Sequence, residues 1–320
     1  MNFSHLKGKN ILVTGGAGFI GSHVVDSLVN IGANVTVLDN FSTGKKENLS
    51  HSIKDINLIE GDIRNLEVCK KVMKKIELVS HQAALGSVPR SLENPSASIE
   101  VNVIGSTNIF TAARDCEVER IVFASSSSVY GDSQKLPKKE GEEGKPVSPY
   151  AFSKITVENL ANVFAKCFNM KFIGLRYFNV YGTRQNPEGD YAAVIPRFFK
   201  AYLNNMPPVI FGSGNQTRDF TYVQDVVKAN LLALLAESNL CNSCYNISGS
   251  NPVSINYLAE TISELCGKRS IKPIYKEERV GDILHSEGDL TKSKMIGYFP
   301  SVKIENGLKI TYEKYYQFLW

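Results

Sequence analysis

Val13-Thr14-Gly15-Gly16-Ala17-Gly18-Phe19-Ile20-Gly21 is the stretch on which the fold turns. A short apolar run at residues 11–13 leads into it, and a helical pattern over residues 19–29 leaves it. Strand, glycine-rich turn and helix in that order form the setting in which such a run holds a pyrophosphate. The missing β-carbons let the backbone come close to the phosphates. The helix N-terminus supplies amide donors and the positive end of a dipole.

Outward from this turn the same rhythm repeats. Apolar strand patterns at residues 35–38, 58–60, 78–81, 121–124 and 172–175 alternate with helical ones, such as 99–113 and 150–168. Short apolar strands between helices predict an α/β fold, a doubly wound parallel sheet of the Rossmann type covered on both faces. In such folds ligands sit at the carboxyl ends of the strands. Past residue 176 the rhythm loosens, and Gly, Pro and Asn gather at 182–189 and 207–216. The reading is therefore a dinucleotide-binding domain over 1–174 and a smaller α/β substrate domain over most of 175–320. Residues 219–247 return to the first domain as a helix at 223–236 and a strand at 244–247.

Composition narrows the function. With 43% hydrophobic and 21% charged residues the chain is globular, and 320 residues suffice for one large domain or two interlocked ones. The net charge is only +4. Lys70, Lys71, Lys74 and Lys75 read as the wet face of a helix, so the focused basic surface that nucleic acid needs is missing. Six cysteines are scattered; Cys241 and Cys244 form a C-x-x-C with no second pair, which argues against a metal. The polar start at residues 1–10 argues against a signal peptide, and no apolar run is long enough for a bilayer. The expectation is a cytoplasmic protein with no membrane or nucleic-acid partner.

Asp39 ends the second strand pattern. A carboxylate there accepts hydrogen bonds from both ribose hydroxyls and repels a 2′-phosphate, which favours NAD over NADP. Asp62 ends the third, where an adenine would rest. Tyr150 and Lys154 are one turn apart on a helical pattern and share a face. Ser125, Ser126, Ser127 and Ser128 follow the strand pattern at 121–124. A phenol with an ordinary pKa of about 10 is a poor base. A neighbouring ammonium and a cationic nicotinamide stabilise its phenolate. A serine hydroxyl can hold the substrate oxygen as its proton leaves.

These features together resemble the extended short-chain dehydrogenases, and within them the UDP-hexose and UDP-N-acetylglucosamine 4-epimerases. The matching residues are T-G-G-A-G-F-I-G at 14–21, L-D-N-F-S-T-G at 38–44, G-D-I-R at 61–64, S-S-S-V-Y-G at 126–131 and Y-A-F-S-K at 150–154. R-Y-F-N-V-Y-G at 176–182, Q-T-R-D-F at 216–220 and R-V-G-D at 279–282 continue the match across the chain. The stretch H-Q-A-A-L-G-S-V-P-R-S at 81–91 is most similar to epimerases of UDP-N-acetylhexosamines. The resemblance implies Tyr150 as base, Lys154 as its tuner and nicotinamide-ribose ligand, and Ser126, by its offset from Tyr130, as partner at the sugar hydroxyl. For the cofactor it implies Gly15, Gly18, Phe19, Ile20, Gly21, Asp39, Asn40, Ser42, Thr43, Gly44, Asp62, Ile63, Gln82, Ala83 and Ala84. Asn102, Ser125, Tyr177 and Val180 complete that set. For the substrate it implies Ser87, Val88, Ser126, Ser127, Tyr150, Asn179, Ala193, Val194 and Ser286. Arg218 and Arg279 would bind phosphate and Asp282 the uridine ribose. It also implies a homodimer built on the helices around 99–113 and 150–168.

Two details bear on the substrate. Related dehydratases and decarboxylases carry an acidic residue just before the V-Y-G triplet, where this chain has Ser127 and Ser128. Epimerases of UDP-glucuronate share the serine pattern and stay open. At position 286 a bulky aromatic residue closes the pocket to acetamido sugars, whereas Ser286 leaves room. Leu284 stands where close relatives often carry Arg. A catalytically dead NAD sensor would have lost Tyr150 or Lys154, and both are present.

Overall fold

In the computed structural model, which describes residues 3–188, 192–278 and 285–314, the apolar runs become seven strands of one sheet. They are β1 (Asn10–Thr14), β2 (Asn34–Asp39), β3 (Ile56–Glu60), β4 (Leu78–His81), β5 (Arg120–Ser126), β6 (Phe172–Tyr177) and β7 (Ser243–Ile247). Every pairing is parallel, in the spatial order β3-β2-β1-β4-β5-β6-β7. The order reverses between β1 and β4, and a doubly wound sheet opens its ligand crevice at such a reversal.

Burial explains the strand composition. Every residue of β4 and of β6 is buried, so their side chains are either apolar or, as at Ser80, His81 and Arg176, hydrogen-bonded. One face is covered by helices Phe19–Ile31 and Val223–Leu235, through Val24, Val25, Leu28, Val226 and Leu234. The other is covered by Leu66–Met73, Gly105–Asp115 and Pro149–Phe168, through Cys69, Phe110, Val157 and Phe164. A separate cluster of Phe198, Phe199, Tyr202, Leu258, Ile262 and Leu308 joins helices Val194–Leu203, Ile255–Leu265 and Ile304–Lys314 beyond the carboxyl ends of the strands.

Local signals set the helix that carries Tyr150. Ser148 accepts a hydrogen bond from Ala151 N, Pro149 fills the first turn, and Asn169 closes the far end in the left-handed conformation. The helix read at 99–113 differs from expectation. It is three pieces, Pro95–Ile99, a π-helical turn Glu100–Ile104, and Gly105–Asp115. The wider turn accommodates Asn102, which is 1% exposed. Its side chain donates to Leu85 O (3.1 Å) and Ser153 Oγ (3.0 Å) and accepts from Leu85 N (2.8 Å). A polar side chain so placed inside an α-helical pattern is a tertiary demand that periodicity does not show.

Among the described residues no helix is long and apolar enough to cross a membrane, and no cluster of His, Cys, Asp and Glu can hold a metal ion.

Candidate active site

Two clefts meet at Tyr150. The first lies over the carboxyl ends of β1, β2, β4 and β5. Its walls include Gly15, Gly18, Phe19, Ile20, Gly21, Asp39, Asn40, Ser42, Thr43, Asp62, Ile63, Gln82, Ala83, Ala84, Ser125, Tyr150, Lys154 and Tyr177. Leu38, Gly61, Leu85, Gly86, Val101 and Ala124 also line it. The first four stand inside the matched motifs next to assigned residues, whereas Val101 and Ala124 stand outside any motif, beside Asn102 and Ser125. Gly44 and Asn102 do not line it. A β-carbon at Gly44 would lie 2.9 Å from the Ala17 carbonyl carbon, so Gly44 serves close backbone packing. Asn102 stands behind the wall, holding Leu85.

The first cleft suits a dinucleotide. Gly15 has φ +67°, and a β-carbon there would lie 2.7 Å from Ala83 Cα. A β-carbon at Gly21 would lie 2.1 Å from Gly15 O, so the turn closes only with glycines. The helix that follows starts at Phe19 with no side-chain cap, leaving its first amides directed at the cleft. Asp39, 7% exposed, accepts from Ala17 N at 2.9 Å and Phe41 N at 2.8 Å. Burial raises its pKa while these two bonds lower it, and each oxygen keeps a lone pair for a ribose hydroxyl. Asp62 is held low, at about 2, chiefly by Arg64, and Asn40 donates to it at 2.8 Å.

A chain of hydrogen bonds stiffens the cleft floor. Ser106 donates to Asn102 O at 2.5 Å, so it accepts from His81 Nε2 at 2.9 Å. The other ring nitrogen, Nδ1, then accepts from Thr14 Oγ1 at 2.6 Å, an assignment that follows from the network. Burial, with a smaller push from Lys154, lowers His81 to about 3, so the ring is neutral. On the other side Tyr177 Oη donates to Gln82 Oε1 at 3.0 Å and accepts from Asn230 Nδ2 at 2.9 Å.

At the junction, Tyr150 and Ser126 line the same cleft wall. Burial raises the Tyr150 pKa, and the Ser126 hydroxyl opposes the rise. Lys154 lies below, its Nζ 5.8 Å from the centre of the Tyr150 ring and donating to Ala124 O at 2.8 Å. Burial lowers Lys154 to about 8, against the opposing charge of Glu158.

The second cleft shares Ile20, Ser125, Tyr150 and Tyr177 with the first. It is lined further by Ser87, Val88, Ser126, Ser127, Asn179, Val180, Arg218 and Ser286. Val180 thus faces this cleft and not the first. A continuation beyond Asn179 and Arg218 is lined by Ala193 and Val194. Arg279 and Asp282 lie outside the described residues, as does Leu284. The structure adds Ser128, Tyr130, Lys138 and Phe178 to the second cleft, and Gln185, Arg197, Phe211 and Gln216 to its continuation. Lys138 carried no sequence signal, since it falls in no matched motif. Its backbone pairs with residues 287–289, which buries it. Ser128, Tyr130, Phe178 and Gln216 do fall within matched motifs, Gln216 opening the one that contains Arg218.

The geometry places a phenol, a hydroxyl and an ammonium where the first cleft opens into a polar, hydroxyl-lined one. A family profile described as the NAD dependent epimerase/dehydratase family matches residues 11–248. A UDP-N-acetylglucosamine 4-epimerase from Methanobrevibacter ruminantium, solved with UDP-N-acetylmuramic acid, is 39% identical, with 96% of this chain and 98% of that one covered and a TM-score of 0.91. A UDP-glucose 4-epimerase from Thermotoga maritima, solved with UDP-glucose, is 39% identical over 97% of this chain and 100% of the other, with a TM-score of 0.92. A UDP-glucose 4-epimerase from Mycolicibacterium smegmatis is 34% identical over 94% of this chain and 97% of its own length.

Proposed function

Since the chain belongs to the NAD-dependent epimerase/dehydratase family, we propose that it inverts C4 of UDP-N-acetylglucosamine and UDP-N-acetylgalactosamine, and turns over UDP-glucose and UDP-galactose as well. It is an NAD-dependent isomerase acting on a nucleotide sugar; the choice of sugar is our reading. The observation that carries it is Tyr150 at the seam of the two clefts, with Ser126 on the same wall and Lys154 Nζ 5.8 Å from its ring centre. We assign the dinucleotide to residues 1–174 with 219–247, and the sugar nucleotide to most of 175–320.

Bound in the first cleft, NAD would supply reversible hydride transfer with the sugar C4. The protein handles the proton. Tyr150 takes it from the sugar 4-hydroxyl while Ser126 holds that oxygen. Lys154 steadies the phenolate through its charge. Once the 4-keto sugar has turned its other face, Tyr150 gives the proton back. Arg218, on the wall shared by the second cleft and its continuation, suits the diphosphate because its donors form a planar fork. Asn179 is placed beside it.

Ser286 supports the acetamido reading. It is 9% exposed and lines the second cleft together with the serines at 126–128. A short side chain there leaves volume for an acetamide, and Ser87 is positioned as its polar neighbour. Lys138 on the same wall favours one second reading, a sugar with a C6 carboxylate such as UDP-glucuronate. Exposed Leu92, Ile104, Phe152 and Val163, on and around the helices read as a dimer face, support a homodimer.

The test is incubation of purified protein with UDP-N-acetylglucosamine, UDP-glucose and UDP-glucuronate in separate reactions, with chromatography of the products. Inversion of the first is expected. Inversion of UDP-glucuronate alone would replace this reading with the second, and no inversion of any would refute both.

A further inference from the structure

Behind the reaction centre lies a buried group of charges that the proton transfer above does not use. Glu158 follows Lys154 by one helical turn, as Lys154 follows Tyr150, so the three stand on one face of Pro149–Phe168. Glu158, Lys154 and Arg176 are 8%, 5% and 5% exposed. Arg176 on β6 grips the Glu158 carboxylate with both ends of its guanidinium, Nε to Oε1 at 2.9 Å and Nη2 to Oε2 at 2.7 Å. It also pairs with Glu143 and donates to Tyr130 Oη at 3.1 Å. This much could be a buried ion pair that only holds the fold. Its neighbours point instead to the reaction. Ser125 Oγ, on the wall of the first cleft, donates to Glu158 Oε1 at 2.5 Å. Lys154 stands one turn before Glu158 on the same helix face, and both are buried there.

We propose that Glu158, clamped by Arg176, is a positioning residue for the reaction: it fixes the Ser125 hydroxyl on the cofactor wall and holds the Lys154 ammonium beneath Tyr150. The role in turnover rests on the epimerase reading, whereas the effect on Lys154 does not. Lys154 is pulled down by burial, and the Glu158 carboxylate is the opposing influence. The other titratable groups around this pair bring no negative charge at neutral pH. His81 of β4 is neutral, and Tyr150, Tyr177 of β6 and Cys244 of β7 are all raised by burial. Arg176 is a cation whose charge Glu158 and Glu143 take up.

The experiment is a titration of Lys154 by nitrogen NMR on lysine-labelled protein without added sugar, the signal assigned by its loss in Lys154→Arg. Glu158→Gln should move the Lys154 midpoint down by about one pH unit, the lower end of what a nearby opposite charge contributes. In the same variant the alkaline limb of kcat should move to lower pH, while KM for the sugar nucleotide stays within about twofold. A purely structural role would lower the yield of folded protein and leave both midpoints where they were. Glu158→Gln strands the Arg176 charge, so Glu158→Gln/Arg176→Met, which removes the pair together, is measured beside it. The Lys154 midpoint should fall in the double variant too. An unchanged midpoint in either folded variant, or failure of both to fold, would overturn the proposal. A wild-type protein that inverts no sugar would overturn the functional reading and leave the Lys154 titration to stand or fall by itself.

Discussion

The two clefts that meet at Tyr150 are built from different material. The first is largely main chain and short contiguous segments: the glycine turn at 15–21, the strand ends at 38–40 and 61–63, and 82–86. Its side chains are bonded to the scaffold, as Asp39 is to two backbone amides and His81 to Thr14 and Ser106. The second is assembled from residues far apart in the chain, 87–88, 125–128, 138, 179–180, 218 and 286. Many of these are serine hydroxyls, Ser87 and Ser286 on loops and Ser125 to Ser128 at the end of β5 and in the turn after it. A site made of strand ends and backbone tolerates little change without loss of the sheet. A site made of side chains gathered from separate segments can be retuned one residue at a time.

The sharpest way to break this comparison is at the seam, because Tyr150 belongs to both clefts. Tyr150→Phe should lose about a hundred- to ten-thousandfold in kcat on every sugar. Bound NAD, read by absorbance or calorimetry, should persist. A variant still turning over at the wild-type rate would remove Tyr150 from the chemistry.

Asp39→Ala touches only the first cleft. It removes a charged acceptor, worth about 1.5–3 kcal/mol for hydrogen bonds to a charged group. NAD binding should weaken about ten- to a hundredfold, with discrimination against NADP relaxed and sugar preference unchanged. Tighter binding of NADP than NAD by the unaltered protein would show that Asp39 does not read the ribose.

Ser286→Tyr touches only the second cleft. Overfilling it should cost about 1–3 kcal/mol for the acetamido sugar, roughly five- to a hundredfold in kcat/KM. Most activity on UDP-glucose should remain. Equal losses on both sugars would mean that this residue does not gate the pocket.

The smallest effect is expected away from both clefts. His23, on helix Phe19–Ile31, faces Thr183 O across 3.0 Å, and nearby Asp26 pairs with Arg184 at 2.6 Å. Burial chiefly lowers His23 to about 4 from 6.5. Below pH 6.5 the unfolded chain takes up a proton that folded His23 refuses. Stability is therefore full above pH 6.5 and lost as pH falls towards 4. Between pH 6.5 and 5 this should amount to about 1–2 kcal/mol. His23→Gln should show a shallower fall of Tm over that range with kcat unaltered at pH 7.5, and an equal fall would acquit His23.

What could be read in the sequence follows the same division. The sheet and its glycine turn were legible because strand alternation and turn chemistry are local. Tyr150 and Lys154 were legible because the helical period alone puts them on one face. Among the four consecutive serines only the offset from Tyr130 singled out Ser126, and all four line the cleft that Tyr150 enters. The π-helical turn at Glu100–Ile104 was hidden, because it answers to Leu85 and Ser153 and not to its own neighbours. Lys138 was hidden for the same reason, its burial being set by pairing with residues near 288.

The position of β7 has a consequence for dissecting the protein. The chain completes β6 at Tyr177, leaves to form the helix Val194–Leu203, and only then returns to lay Ser243–Ile247 along β6. A fragment cut at the apparent boundary near residue 174 would carry β5 but only the first half of β6, with that strand's outer rim of amides and carbonyls open. Wholly buried apolar strands with an unpaired rim recruit other copies of themselves. Such a fragment should precipitate, while one that appends residues 219–247 through a short linker should stay dispersed. The sheet is thus sealed by its last strand, and expression of either half alone is a poor route to the activity of the whole.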